Sequence, residues 1–481
     1  MSNMPGCVTN KTSVELFELQ MQFTRNNSET VDESKTSNRN GGTMDELGQP
    51  SFPRPNGLRE GESVAADVLL AAPRVRGTLG RFLAVMGPGL AVMLADTDVG
   101  SIVTAGQSGV QWGYRLLLAQ FLLIPLLYIV QELTVRLGIY TGRGHGELIL
   151  AYFGRGWAAL SVGGLAVAVI GALITEFSGV VGVGELFGIP RGASLLLAVL
   201  ALLAVVLTGS YRRVERAAIV LGLFELAFFG VAWQARPAWP DVWAGAFDIP
   251  FSQHDYWYLL AANIGAVIMP WMIFYQQSAI TDKKLGLDHL GAARLDTVIG
   301  SVLTQLIMAA VLIAAAATIG RNDPSRSLNS VGEISQALTP FLGAPTARVV
   351  FGLGVLGAAM VAAVVASLAL AWGLGEVTGF NHTLEAHPLE AGWFYGSYAF
   401  CTILGAAVVY WAPNLVALNI GVEVMNALLL PLVLGFLIAL AARVLPHGVR
   451  LRGWYLWLVV VLAALTAALG IFGAASGANL V

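Results

Sequence analysis

The chain has 481 residues, of which 56% are hydrophobic and only 12% charged, against about 25% charged in an ordinary soluble domain. That excludes a plain water-soluble enzyme. A formal net charge of −3 offers no basic excess to neutralise a phosphate backbone, so nucleic acid is not an expected partner.

The charge is unevenly spread. Met1 to Arg81 hold 10 Asp/Glu and 9 Lys/Arg, leaving 20 and 18 for the other 400 residues. Residues 1–72, with runs such as SETVDESKTSNRNGG and QPSFPRPNGLREGES, cannot bury enough apolar surface to offset ordering entropy. They are read as a disordered cytoplasmic tail, and residues 73–481 as the transmembrane domain. No signal peptide is expected, because the first long apolar run begins near Phe82. Met44 reads equally as a start codon or as the join of a leader. Cys7 lies in the polar tail and Cys401 in an apolar run, so no disulfide is expected and the redox compartment stays open.

Apolar stretches long enough to cross about 30 Å of hydrocarbon recur near 82–105, 115–138, 158–186, 193–208, 216–234, 256–280, 297–319, 347–375, 393–412, 415–443 and 454–475. Continuous apolar runs exclude a barrel, so the spanning elements are helices. The prediction is an all-α membrane protein of eleven transmembrane helices, with 55 Gly suiting close helix packing in lipid. An N-terminus inside assigns 15 Lys/Arg to the cytoplasmic side and 6 to the other. That asymmetry follows the positive-inside rule and puts the C-terminus outside a cell membrane.

Two of the predicted helices are interrupted. The first reads GPGLAVMLADTDVGSIVTAG and the sixth NIGAVIMPWMIFYQQSA. They lie five helices apart, the pattern of a transporter built from a 5+5 inverted repeat (about 82–234 and 256–443) with a midplane substrate site. The eleventh helix, about 454–475, stands outside the repeat.

On an unbroken helix Asp96 and Asp98 would point about 200° apart. Unwinding around Asp98-Val99-Gly100-Ser101 lets Asp98 and backbone carbonyls converge on a cation, with Gly100 permitting the dihedrals. An intramembrane carboxylate costs several kcal/mol unless compensated. Asp96 is read as lining the vestibule or binding structurally. In the sixth helix Pro270 frees the carbonyl of Ala266, a hard cation ligand; the Met269 thioether beside it serves either as soft ligand or as packing. Glu176 is expected to face a cavity or the bundle interior, its alternative being a pair with Arg213. Glu132 is read as the i,i+4 partner of Arg136. Glu423, flanked by Asn419 and Asn426, is a candidate for the pathway lining. His382, Glu385, His387 and Glu390 match no strong metal motif and read as a solvated loop. Walker A, GxSxG, HExxH and clustered Cys pairs are absent, so no enzymatic activity and no cofactor is expected. Lipid is the one obligatory surround, and no protein partner is implied.

Taken together, these residues resemble the NRAMP family of divalent-metal transporters from about Leu79 to Leu445. GPG at 87–89, separated by eight residues from Asp98-Val99-Gly100-Ser101, is similar to the family's GPG and DPGN motifs. Trp112-Gly113-Tyr114-Arg115-Leu116-Leu117, then Gln131 and Arg136-Leu137-Gly138 with Thr141-Gly142, resemble its second helix. Leu186-Phe187-Gly188-Ile189-Pro190 and Tyr211-Arg212-Arg213-Val214-Glu215 continue the likeness, and Gly265-Ala266-Val267-Ile268-Met269-Pro270 is similar to its GAxxMPHN motif.

The resemblance implies a LeuT-like fold and an ion held by Asp98, Ala266 and Met269, with Ser101 where the family has Asn. It also places Trp271 and Met272 where the family has His and Asn, Gln276 where it has a second His, and Thr175-Glu176-Phe177-Ser178-Gly179 where it has TDLAE. Titration near neutrality is the province of His, so the loss of both argues against proton coupling. This pattern looks like the divergent NRAMP-related magnesium transporters (the NRMT clade of prokaryotes), whose substrate class is Mg²⁺. Mn²⁺, which accepts carboxylate and water, is expected to pass as well. The rival expectation is a proton-coupled Mn²⁺ or Fe²⁺ importer of the ordinary NRAMP type.

Overall fold

The computed structural model describes residues 88–208, 211–321, 344–384 and 387–478. The expectations for residues 1–72, Gly87 and Glu385 fall outside this range.

Every described element is helical. The first apolar stretch forms two half-helices, α1 (Pro88–Asp96) and α2 (Val99–Trp112), bent by 45° at the intervening pair. Next come α3 (Leu117–Thr141), the short α4 (His145–Phe153), α5 (Arg155–Leu186) and α6 (Arg191–Val206). The fifth stretch is α7 (Tyr211–Gly222), a 3₁₀ turn (Leu223–Leu226) and α8 (Ala227–Gln234), and the short α9 (Trp239–Ala246) then turns away by 109°. The sixth is again divided, into α10 (His254–Gly265) and α11 (Pro270–Asp282). The remaining helices are α12 (Leu290–Ala315), α13 (Ala344–Thr378), α14 (Gly392–Trp411), α15 (Leu415–Arg443) and α16 (Gly453–Gly477).

By length and composition, eight helices among the described residues are suited to cross a membrane, or up to ten if each bent pair counts as one span. The chain is thus an all-helical, multi-pass membrane protein. Each of the eleven predicted stretches contains helix, yet α6 has only 16 residues and reaches about 24 Å, short of the hydrocarbon thickness. Pro270 does not interrupt a running helix. It opens α11 at the first position, where its missing N–H is lost to no hydrogen bond.

Glu132 pairs with Arg136 at 2.5 Å one turn on, as the i,i+4 spacing predicts, and also with Arg294 of α12 at 2.7 Å. The Arg136 guanidinium further donates to the Val449 carbonyl at 2.9 Å. One buried acid therefore ties α3 to α12 and to the segment before α16.

Helix α10 is seated by close backbone approach. At Gly265 a Cβ would stand 1.8 Å from the Glu423 carbonyl oxygen of α15, and two main chains cannot part by a rotamer change. Gly265→Ala is accordingly expected to abolish the monodisperse folded peak in detergent size-exclusion chromatography. Gly291→Ala, which meets nothing within 4 Å, is expected to leave that peak and its melting temperature unchanged.

Candidate functional site

A break inside a bilayer leaves backbone groups that water cannot satisfy, and side chains take them up here. Asp98 is the N-cap of α2: its Oδ1 accepts from the Ser101 amide at 2.7 Å. The Val99 amide donates to Glu176 Oε2 at 3.3 Å, and the Thr175 hydroxyl donates to Glu176 Oε1 at 3.0 Å. Glu176 thus faces the first break and not Arg213, which is exposed.

The two breaks touch. The Ser101 hydroxyl donates to the Ala266 carbonyl at 2.9 Å, so that oxygen is free of its helix, as expected, but already holds one hydrogen bond. Ala266 and Met269 flank the second break, Met269 as the residue preceding α11 with extended backbone. Both are buried, and Asp98 is buried with Oδ2 bare of any partner. The junction therefore presents one open carboxylate oxygen, one carbonyl and one hydroxyl.

Gly100 requires a different explanation from the one its sequence suggests. It lies within α2 and has no positive φ. Its value is space: a Cβ there would stand 2.0 Å from Glu423 Oε1. Glu423 accordingly packs its carboxyl against the start of α2, with Oε2 accepting from Asn426 at 3.0 Å and Oε1 unpartnered.

The remaining predicted lining residues divide. Asn419 is bonded to Ser178 of α5 at 2.9 Å, a helix-to-helix contact one turn from Glu423. Gln276 donates to Thr297 at 3.2 Å with its Oε1 unpartnered, and Trp271 is buried with its indole N–H unpartnered. Asp96 turns toward α12, where the Thr304 hydroxyl donates to Oδ2 at 3.4 Å. His382 stands 3.9 Å from Glu147, while His387 and Glu390 are exposed. Among the described residues no three His, Cys, Asp or Glu side chains gather closely enough to hold a metal ion.

Four buried carboxyl or imidazole groups among the described residues escaped the sequence reading: Glu225, His145, Asp296 and Glu376. Glu225 sits fully buried within LGLFELAFFG, and an acid in an apolar run was itself the signal. His145 is buried beside α11: its Nδ1 lies 3.0 Å from Gln277 Oε1, and its ring meets Phe274 edge-on at 5.0 Å. Because an amide oxygen only accepts, Nδ1 carries the proton and donates. Gln277 in turn donates to the Arg143 carbonyl at 2.9 Å.

The family model described as "Natural resistance-associated macrophage protein-like" matches residues 89–476. The chain belongs to the NRAMP family. It is 30% identical to the divalent metal cation transporter MntH 1 of Pseudomonas aeruginosa, over 60% of this chain and 68% of that protein. In fold it resembles the manganese transporter of Eremococcus coleocola, with a TM-score of 0.68 at 19% identity over 84% of this chain and 89% of that one. A Na⁺-coupled sialic acid symporter has a TM-score of 0.56 at 14% identity, over 81% and 90%. These likenesses place this NRAMP protein among LeuT-like folds.

Burial pushes the His145 imidazole down to about 4 from an ordinary value of 6.5. A depressed folded value favours folding above the unfolded pKa and is lost as pH falls through the folded one. Wild type is thus expected to lose on the order of 3 kcal/mol between about pH 6.5 and about pH 4 through this group. His145→Gln should flatten that part of the melting temperature against pH in detergent; an unchanged slope would count against it.

Proposed function

We propose that this NRAMP protein carries divalent cations, Mg²⁺ and also Mn²⁺, into the cell by alternating access about its two broken helices, without obligatory proton coupling. The observation that carries the reading is the buried junction where Asp98 caps one half-helix and Ser101 bonds the Ala266 carbonyl of the other. A carboxylate oxygen without a partner, beside a carbonyl and a hydroxyl, is a donor set of the kind a hard cation accepts. Relatives described as divalent metal cation transporters support the substrate class.

The choice of Mg²⁺ rests on what replaces the family's histidines. Trp271 and Gln276 carry no titratable proton near neutrality, and Gln276 offers an unpartnered amide oxygen. Mg²⁺ keeps several of its waters, so Ser101 and Gln276 suit a partly hydrated ion, with Glu176 and Glu423 supplying the field around it. Asp96 and Asn419 then serve the pathway lining. Met269 is the neighbour of the water shell rather than its anchor. Uptake needs no proton, because a divalent ion gains roughly 4.6 kcal/mol per 100 mV of membrane potential. The kinship with the NRMT clade, the eleven-helix count, the two inverted five-helix halves and the cytoplasmic N-terminus belong to this same reading.

The second reading, a proton-coupled Mn²⁺ or Fe²⁺ importer, is favoured by Met269, whose sulfur selects softer metals. Proteoliposomes loaded with a pH dye separate the two: Mg²⁺ and Mn²⁺ should enter without acidifying the lumen, and metal-dependent acidification would favour the importer.

In the same assay Asp98→Ala is expected to abolish Mg²⁺ and Mn²⁺ flux, and Glu176→Gln to weaken both. Met269→Ala should be mild for Mg²⁺ and several-fold worse for Mn²⁺. Equal loss of the two ions in the Met269 variant would defeat the water-shell explanation.

A further inference from the structure

The end of α7, just before the 3₁₀ turn, is pressed against the first broken helix. At Gly222 a Cβ would stand 2.7 Å from Leu94 Cδ1, and the turn that follows brings Glu225 beside the break. Glu225 is fully buried, and neither carboxyl oxygen has a hydrogen-bond partner. Glu225 follows Gly222 by three residues and Thr97 follows Leu94 by three, so both come one turn on from this close approach, with Asp96 and Asp98 on either side of Thr97. The Thr97 hydroxyl lies 2.7 Å from that of Thr304, which also bonds Asp96 Oδ2; Asp96 Oδ1 is buried and bare. Two carboxylates and two hydroxyls, drawn from the α7–α8 turn, the first break and α12, thus form a group of oxygen donors. Val99 and Ser101 bond in another direction, toward α5 and the second break.

Buried carboxyl groups need compensation, by a proton or by a cation. Asp96, Asp98, Glu176, Glu225 and Glu423 are all buried, and none of the ion pairs among the described residues involves them. One divalent ion at Asp98 offsets two negative charges and leaves the others to be neutralised by protons or by a further cation, since unpaired carboxylates are costly in this medium. Metal ions are a usual way for buried charges of this kind to be accommodated. A donor set of oxygen alone, without sulfur or imidazole, suits a hard cation.

We propose that Glu225, with Asp96 and the hydroxyls of Thr97 and Thr304, forms a second cation position on the α7–α8 side of the first break, occupied by Na⁺ or by a second Mg²⁺. The proposal rests on the reading that Asp98 holds the transported ion, and it adds a separate position that neither Ala266 nor Met269 serves. Glu225 supplies the charge, the threonines supply neutral oxygens, and Asp96 joins the two positions through the break.

The test is ion stoichiometry on the purified full-length protein in detergent. Mg²⁺ is titrated calorimetrically in choline buffer and again with Na⁺ replacing choline, with ²²Na⁺ binding measured alongside. Wild type is expected to hold two cations per chain: two Mg²⁺ if the position takes divalent ions, or one Mg²⁺ and one Na⁺ if it takes monovalent ones. Glu225→Gln should reduce two to one. Thr304→Val, which leaves both carboxylates in place, should weaken the same ion by about tenfold, and it decides the matter if Glu225→Gln fails to fold. A single ion per wild-type chain in both buffers, or two ions undiminished in both variants, would overturn the proposal. Asp98→Ala separates the two ideas: flux surviving that change would sink the transport reading while leaving the second position standing.

Discussion

The structure turns on the rule that a backbone opened inside hydrocarbon must find its hydrogen bonds within the protein. Asp98 accepts the Ser101 amide, Glu176 accepts the Val99 amide, and Ser101 spends its hydroxyl on the Ala266 carbonyl. These bonds satisfy much of the exposed main chain and in doing so bring acidic side chains to one place. The carboxylates that repair the break are also those that create its negative field. A cation there would compensate the cost of burying them, so stability and ion affinity draw on the same residues.

This coupling explains why the substitutions relative to the family's pattern are chemically coherent. Ser101 is too short to do everything an Asn does, but its hydroxyl bridges the two breaks. Trp271 and Gln276 fill the helix after the second break with buried, neutral side chains. His145, the buried histidine next to α11, is held neutral by burial, which outweighs the opposing effect of its bond to Gln277. The residues after the second break, Trp271 and Gln276, are thus not titratable near neutrality, while acids line the first break.

Much of this was legible in the sequence, because a polar residue in an apolar run is a loud local signal. Asp98, Pro270, Glu176 and the i,i+4 pair of Glu132 and Arg136 all announced themselves in this way. Other features depend on which helices meet, and single-chain periodicity does not report that. Gly100 was read as a source of backbone freedom, whereas what it supplies is room for Glu423. The Ala266 carbonyl was read as free, although Ser101 comes to it from 165 residues away. Glu225 is different: its signal was present, but the turn that aims it at the break is a tertiary effect of the crossing at Gly222.

The packing of α16 has a mechanical consequence. A Cβ at Gly473 would stand 2.2 Å from the Trp257 carbonyl, so the last helix lies flush against α10, which Gly265 in turn locks onto α15. No comparable backbone-to-backbone approach is made by a glycine of α11, which contains none. The half of the sixth span before the break is therefore bolted to its neighbours, while the half after it is approached less closely, a Cβ at Gly138 of α3 standing 3.4 Å from the Gln277 carbonyl. A rocking motion about residues 266–269 would have a fixed arm and a moving one, and the moving arm is the one that begins at Pro270.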